Sequence, residues 1–413
     1  MKIKDIGLKT SAAYILLGLG YATIIGFTYM QYVYYDAMIE VLGITNAQLG
    51  FLITIVAIGA VFTALPGGVL VDKFDCKKIL TISLGITAAL CVWFALDPTY
   101  TTALCCWTGL AFTMSGYYPA IFKIIRIIAA ENKQGSSFGF FGIATAIGYM
   151  VVNFTSLKLY DLLSATSAAA GMSAVMWVFA SIATISTIFG YLLIKDMEDP
   201  EQGTTSPASF TKKDLIEILH NPGTWLLVLL NFSVYSLHIS MSYFTPYFTN
   251  VLGTALVFSG FVAVIRQYCL RIISSPLGGW YGDKIRSTAQ VIQYSFIGTI
   301  LLILTIILIP QTTPIVFIII LVMILGLLDN MNISLVYSTV GEALVPRKHM
   351  GTVVGVATTV SPDLFQETFF GHILDVHGNA GYNYIFFYTI VMCFLGIIIT
   401  RIIKKRNRKH LGT

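Results

Sequence analysis

Apolar stretches of about twenty residues or more, parted by short polar connections, recur along almost the whole chain. They lie near residues 10–37, 46–71, 79–97, 101–129, 136–160, 168–194, 222–250, 256–281, 289–309, 313–342, 350–374 and 382–403. A helix that crosses the hydrocarbon of a bilayer needs about twenty largely apolar residues. The pattern therefore predicts twelve transmembrane spans. A lipid-exposed backbone must satisfy its own hydrogen bonds, which favours helices. The runs lack the short polar–apolar alternation of barrel strands. Composition agrees: 56% of the 413 residues are hydrophobic and 11% charged, where a soluble domain carries roughly a quarter charged residues. Mean hydropathy is +0.80. The predicted class is an all-α integral membrane protein whose partner is the bilayer itself.

Charge orients the spans. Of the 25 Lys and Arg residues, four sit inside runs (Lys123, Arg126, Arg266, Arg271) and one, Lys158, lies near the connection between spans 5 and 6. The other twenty fall at the N-terminus, in the even-to-odd connections and in the tail from Arg401 to Lys409. Cytoplasmic loops collect Lys and Arg, so both termini are expected on the cytoplasmic side of a plasma (inner) membrane. The basic tail reads as a topology signal, and no nucleic-acid partner is expected. The first run is too long for a signal-peptide core and reads as the first span. The six cysteines form no C-x-x-C pair, and no Cys/His cluster has zinc spacing; no metal or cofactor is expected.

Residues 196–220 interrupt the apolar pattern with Asp196, Glu198, Asp199 and Glu201, followed by a Thr/Ser/Pro stretch. Lys212 to His220 is suited to a short amphipathic helix at the membrane surface. The expected division is a six-helix half over 1–195, a cytoplasmic linker over 196–220 and a second six-helix half over 221–413. The halves echo one another. Pro66-Gly67-Gly68 leads to Asp72 and Lys73, and Pro276-Leu277-Gly278-Gly279 leads to Asp283 and Lys284, 283 − 72 = 211 residues later. Gly135 and Gly139 match Gly351 and Gly355. Internal repeats of this kind are frequent in transporters, which place substrate near the midplane between repeats. The glycines permit close helix contact. Each Asp is suited to accept hydrogen bonds at a neighbouring helix N-terminus.

In these loops the sequence resembles the major facilitator superfamily. Gly68, Asp72, Lys73, Lys77 and Lys78 are similar to its cytoplasmic Gly-x-x-x-Asp-Arg/Lys signature, echoed by Gly279, Asp283 and Lys284. The resemblance covers the whole chain in topology and these loops in motif. It implies twelve helices in two six-helix halves, alternating access, and a gating role for Gly68, Asp72, Lys73, Gly279, Asp283 and Lys284. Two departures stand out. Asp75 occupies a position where the signature usually has Gly, and Trp107 lies where span 4 commonly carries an early Arg. Tyr118-Pro119-Ala120 followed by Lys123 is similar to span 4 of organic-anion and sugar-phosphate branches, which usually also carry Arg in spans 1 or 7; this chain has none there.

Ionisable groups at membrane depth are costly and mark candidate sites. Lys123 and Arg126 share a face of span 4. Arg266 and Arg271 lie in span 8, about 140° apart if that span is a regular α-helix. Against them stand Asp329 in span 10, Asp363 and Glu367 one turn apart in span 11, and Glu342 at the inner end of span 10. One reading is that Lys123, Arg126 and Arg266 bind an anionic substrate, with Tyr21, Tyr118, Gln267 and His238 lining the site and Asp329, Asp363, Glu367 and Arg271 serving in coupling or ion pairs. The other is that all these charges are structural pairs. Asn231, Tyr235 and His238 fall on one face of span 7. Tyr32, Tyr34 and Tyr35 read as a headgroup belt, and Tyr21 as cavity lining or helix packing.

No nucleotide-binding loop, paired-His metal helix or nucleophile elbow is present, so an enzyme is not expected. The expectation is a monomeric secondary carrier of a small organic anion, proton-coupled or exchanging. The alternatives are a carrier of a neutral or cationic solute, or a non-transporting membrane sensor on the same fold.

Overall fold

The computed structural model describes residues 8–128, 134–194, 212–310, 313–346 and 349–411. Helix occupies every predicted run. In the N-terminal part these are α1 (Leu8–Thr28), α2 (Gln31–Leu42), α3 (Asn46–Lys73), α4 (Cys76–Leu96), α5 (Tyr100–Ile128), α6 (Gln134–Ser164) and α7 (Ala168–Ile194). They are followed by α8 (Lys212–His220), α9 (Pro222–Ser242), α10 (Phe244–Asn250), α11 (Leu256–Val264), α12 (Arg271–Ile285), α13 (Thr288–Leu308), α14 (Ile315–Leu335), α15 (Met350–Thr359), α16 (Gln366–His377) and α17 (Gly381–Leu411). Among the described residues, ten stretches are long and apolar enough to cross a membrane. The last of them, Met350–His410, holds two predicted spans, and Tyr100–Ile128 is not among the ten. Of the expected linker, 196–211 lies outside the described residues, while Lys212–His220 is helical.

By backbone contacts the described chain divides into one unit within 1–204 plus 256–264 and another within 205–255 plus 265–413. The boundary thus also falls inside the eighth predicted span.

Local chemistry sets the helix ends. Thr45 and Gln48 form a reciprocal cap on α3. Gly43 ends α2 in the left-handed region at φ 61°, where a side chain is strained. Asp75, the departure from the family signature, caps α4: its Oδ1 accepts the Lys77 amide at 3.0 Å. A carboxylate at a helix N-terminus is favoured by the backbone dipole. Trp107, at the other departure, is buried, and its Nε1 donates to the Thr28 carbonyl at 3.0 Å, where α1 ends. An indole thus satisfies a backbone acceptor that the helix has released.

Small residues set the packing. In the first unit α1 lies on α6, with Gly18 against the Ala144 backbone, and α3 lies on α5, with Gly59 against Ala111 and Gly67 against the Ser115 backbone. In the second unit α12 lies on α14, with Gly278 against Met331, and α13 lies on α17, with Gly396 against Phe296. The first glycine of each motif pair makes the close approach. Gly279 has nothing within 4 Å of a Cβ built on it, and the surroundings of Gly68 lie outside the described residues. Tyr32, Tyr34 and Tyr35 are buried rather than arrayed as a belt. The Tyr34 hydroxyl meets Ser156 Oγ at 2.7 Å and the Tyr35 hydroxyl donates to Asn46 Oδ1 at 2.9 Å. A phenol needs a partner when buried, and helix neighbours supply it here.

Candidate functional site

The polar face predicted on α9 is the spine of a partly buried cluster in the second unit. Asn231 Nδ2 donates to the Ala357 carbonyl of α15 at 2.7 Å. Tyr337, in the 3-10 turn that follows α14, donates to the Tyr235 hydroxyl at 3.3 Å. His238 Nδ1 meets Asp329 Oδ2 of α14 at 2.7 Å, and His238 Nε2 meets Gln267 Nε2 at 2.9 Å. The one-face spacing of 231, 235 and 238 therefore becomes four ties to four neighbours.

Arg266 and Gln267 do not lie in regular α-helix. Ile265–Cys269 is a π-helical turn, in which the Leu270 amide reaches back five residues to the Ile265 carbonyl at 3.0 Å. Asn330 Nδ2 donates to the Arg266 carbonyl at 3.0 Å and to the Gly326 carbonyl at 2.8 Å, bracing the turn against α14. Such turns recur at functional sites. The turn changes the angular reading of the two arginines. One extra residue re-phases the helix by about 100°, so the expected 140° between Arg266 and Arg271 shrinks to roughly 40°. They differ in burial instead: Arg266 is 1% exposed, whereas Arg271 opens α12 exposed.

The Arg266 guanidinium is the unusual group. It is fully buried, and none of its three nitrogens has a hydrogen-bond partner among the described residues. Gly326 makes room for its stem, with the Arg266 Cγ 2.5 Å from where a Cβ on residue 326 would stand. An unpaired buried ion is among the costliest things a fold can hold. A guanidinium presents five donors in a planar fork suited to carboxylate, phosphate or sulfonate. Nearby, Asp329 Oδ1 and Gln267 Oε1 are also buried without partners.

Of the remaining sequence candidates, Asp363 lies within electrostatic reach of His238. Asp363 and Glu367 do not share one helical face. Pro362 opens a 3-10 turn over Pro362–Leu364 and Phe365 is non-helical, so Asp363 precedes α16 while Glu367 sits in its first turn. The residue before a proline is disfavoured in the α region, and Ser361 is extended there, its hydroxyl donating to Asp363 Oδ2 at 2.6 Å. Glu367 is buried, and its carbonyl accepts the Tyr243 hydroxyl at 2.9 Å. Gln366, which sequence reasoning passed over, is fully buried between α9 and α17, with Nε2 on the Ser236 carbonyl at 2.9 Å.

In the first unit Tyr21 is ringed by Tyr117, Tyr118, Phe141 and Tyr149 at centroid distances of 5.5–6.4 Å. Lys123 is half-buried and Arg126 exposed near the end of α5. Of the motif residues, Lys73 is exposed and the Asp72 side chain lies outside the described residues. Asp283 and Lys284 are exposed, Lys284 resting 4.8 Å over the Trp280 ring. The helix N-terminus next to this motif is capped by Ser287, whose Oγ accepts the Gln290 amide at 3.2 Å, and by Glu342, not by Asp283. Glu342 Oε1 accepts from the Thr288 amide and hydroxyl, both at 2.6 Å, and Oε2 from Ser287 Oγ at 2.7 Å.

Comparison with known proteins agrees with this architecture. The family model described as Major Facilitator Superfamily matches residues 13–362. The chain is 25% identical over 412 residues to the inner membrane protein YihN of Escherichia coli (strain K12), covering 96% of each chain. It is 25% identical over 380 residues to the inner membrane protein YqcE of the same strain, covering 90% of this chain and 88% of that one. Among solved structures, a bacterial homologue of the human lysosomal transporter Spinster, inward-facing and occupied, superposes with TM-score 0.72 at 14% identity over 96% of both chains. The nucleoside transporter NupG superposes with TM-score 0.72 at 13% identity, covering 97% of this chain and 99% of that one. With the family match spanning most of its length and the helical membrane fold in place, the chain belongs to the major facilitator superfamily and is a secondary transporter, not an enzyme.

Proposed function

We propose that this transporter carries a small organic anion, a carboxylate, sugar acid, sulfonate or phosphate ester, by alternating access. Transport is driven by a proton or by exchange. The observation that carries the reading is the Arg266 guanidinium, buried with all three nitrogens lacking protein partners. A fold keeps such a charge at a net cost unless a bound counter-charge offsets it, and an anionic group on the substrate fits that role. Charges that served only as structural pairs would meet their acids, whereas Arg266 has no carboxylate within salt-bridge distance among the described residues. In the same reading the chain acts as a monomer in the plasma (inner) membrane with both termini cytoplasmic. Its halves are 1–195 and 221–413, joined by the linker 196–220. The names of the two Escherichia coli relatives support that membrane.

The test is uptake into proteoliposomes of small carboxylates, sugar acids, sulfonates and phosphate esters by wild type, Arg266→Gln and Arg266→Lys. Loss of a charge-assisted contact worth about 1.5–3 kcal/mol lowers apparent affinity roughly 10- to 150-fold in Arg266→Gln, with partial recovery in Arg266→Lys. Normal anion uptake by correctly inserted Arg266→Gln overturns the reading in favour of a neutral or cationic solute.

A further inference from the structure

Both ring nitrogens of His238 have a polar partner within hydrogen-bonding distance. The amide nitrogen of Gln267 is a donor only, and it lies 2.9 Å from His238 Nε2. With the amide in this orientation His238 Nε2 acts as the acceptor. The ring proton then sits on Nδ1, 2.7 Å from Asp329 Oδ2. In that arrangement Nε2 is the ring nitrogen open to a second proton, and Nδ1 faces the buried Asp329 carboxylate. The other end of the Gln267 amide, Oε1, is buried without a partner. A half-turn of that amide places an acceptor at Nε2 and gives Oε1 the bond it lacks. Gln267 is thus built to serve either protonation state of His238. It adjoins Arg266 within the π-helical turn, where the backbone already departs from the α-helix.

We propose that His238 Nε2, backed by Asp329 and read by Gln267, is the binding site of a proton that travels with the substrate. The proton enters on Nε2, the Gln267 amide turns to accept from it, and the imidazolium is held by the Asp329 carboxylate. No bond other than N–H forms or breaks. The charge carried is zero, because one proton and one monoanion cancel. Transport is then electroneutral, one proton per monoanion.

The titratable groups around His238 come from several elements. Of the elements packed on α9, α14 presents Asp329, the turn after it Tyr337, the turn at Pro362–Leu364 Asp363, and α16 Glu367. Helix α17 adds Tyr388 and Cys393, α10 Tyr247, and α8 Glu217 at the opposite end of α9; α15 has no titratable side chain. Tyr235 on α9 itself stacks edge-on to the His238 ring at 6.3 Å. Asp363 lies within electrostatic reach of His238, and Arg271 within reach of Tyr235. Asp329 is in direct contact with the imidazole.

The transport arm of this inference rests on the anion reading; the proton site itself is testable without substrate. The first experiment is imidazole nitrogen NMR on the full chain in liposomes, with His238 assigned by single replacement. At about pH 9 we expect bare Nε2 and hydrogen-bonded Nδ1–H, the latter signal lost in Asp329→Asn. At about pH 5 we expect a second proton on Nε2. An Nε2–H tautomer in alkali, or a ring that takes no second proton in acid, overturns the site. The second experiment follows internal pH in dye-loaded proteoliposomes supplied with gluconate or ethanesulfonate. Wild type should move one proton with each anion, and the proton-to-anion ratio should fall at least roughly five-fold in His238→Gln. An unchanged ratio in His238→Gln overturns the coupling. Failure of wild type to take up either probe counts against the anion reading, and the proton site is then decided by the NMR spectra alone.

Discussion

Gly326 is the most direct handle on Arg266, because it alters the arginine without touching its charge. A Cβ added at 326 would stand 2.5 Å from Arg266 Cγ, 3.3 Å from Leu270 Cδ1 and 3.4 Å from the Arg266 carbonyl. The 3.4 Å contact is ordinary van der Waals distance, so the arginine stem must withdraw by about 3.4 − 2.5 = 0.9 Å. A charge-assisted N–H···O bond of about 2.8 Å would stretch to roughly 3.7 Å, beyond hydrogen-bonding range. Losing it costs about 1.5–3 kcal/mol, or roughly 10- to 150-fold in KM for the anion. Overpacking adds about 1–3 kcal/mol of destabilisation. The assay is anion uptake in proteoliposomes alongside a thermal unfolding curve in detergent. The decisive comparison is a double-mutant cycle: Gly326→Ala should raise KM strongly in wild type and add almost nothing in Arg266→Gln. A Gly326→Ala transporter whose KM stays within two-fold of wild type would refute the argument that the stem position sets anion affinity.

Further outcomes follow from the packing. Glu342→Ala removes a carboxylate that accepts four bonds at the start of α13; it should lower stability by about 1–2 kcal/mol in thermal unfolding, with KM for the anion unaltered. The two motif glycines should separate: Gly67→Ala drives a methyl into the Ser115 backbone and should cut folded yield on size-exclusion chromatography, whereas Gly279→Ala meets nothing within 4 Å and should express as wild type.

The helices were legible because each needs a long apolar run and each connection interrupts one. The linker helix Lys212–His220 followed from its own amphipathic pattern. The face carrying Asn231, Tyr235 and His238 was legible too, since regular α-helix preserves the i, i+4, i+7 spacing, but its partners were not. Asp329 is 91 residues from His238 in sequence, and no local pattern encodes that pairing. Asp363 and Glu367 misled because i, i+4 spacing implies one face only when the helix is unbroken, and Pro362 was the available warning. The cap on α13 was assigned to the motif acid next to it, whereas Glu342 reaches it from 54 residues away. Gly326 carried a signal that went unused: it stands three residues before Asp329, on the same side of α14.

The π-helical turn has a consequence for alignment along its own helix. Arg266 and Gly278 both contact α14, at Gly326 and Met331 respectively. In an unbroken α-helix twelve residues turn the chain by about 1200°, which leaves these two positions about 120° apart. With one residue absorbed by the wide turn the offset drops to about 20°. The turn is therefore a phase corrector that lets a buried cation and a close glycine crossing lie on the same stripe. Removing one residue between Ile265 and Cys269 would leave every side chain in the two flanking helices unchanged, yet only one of the two contacts with α14 could be kept.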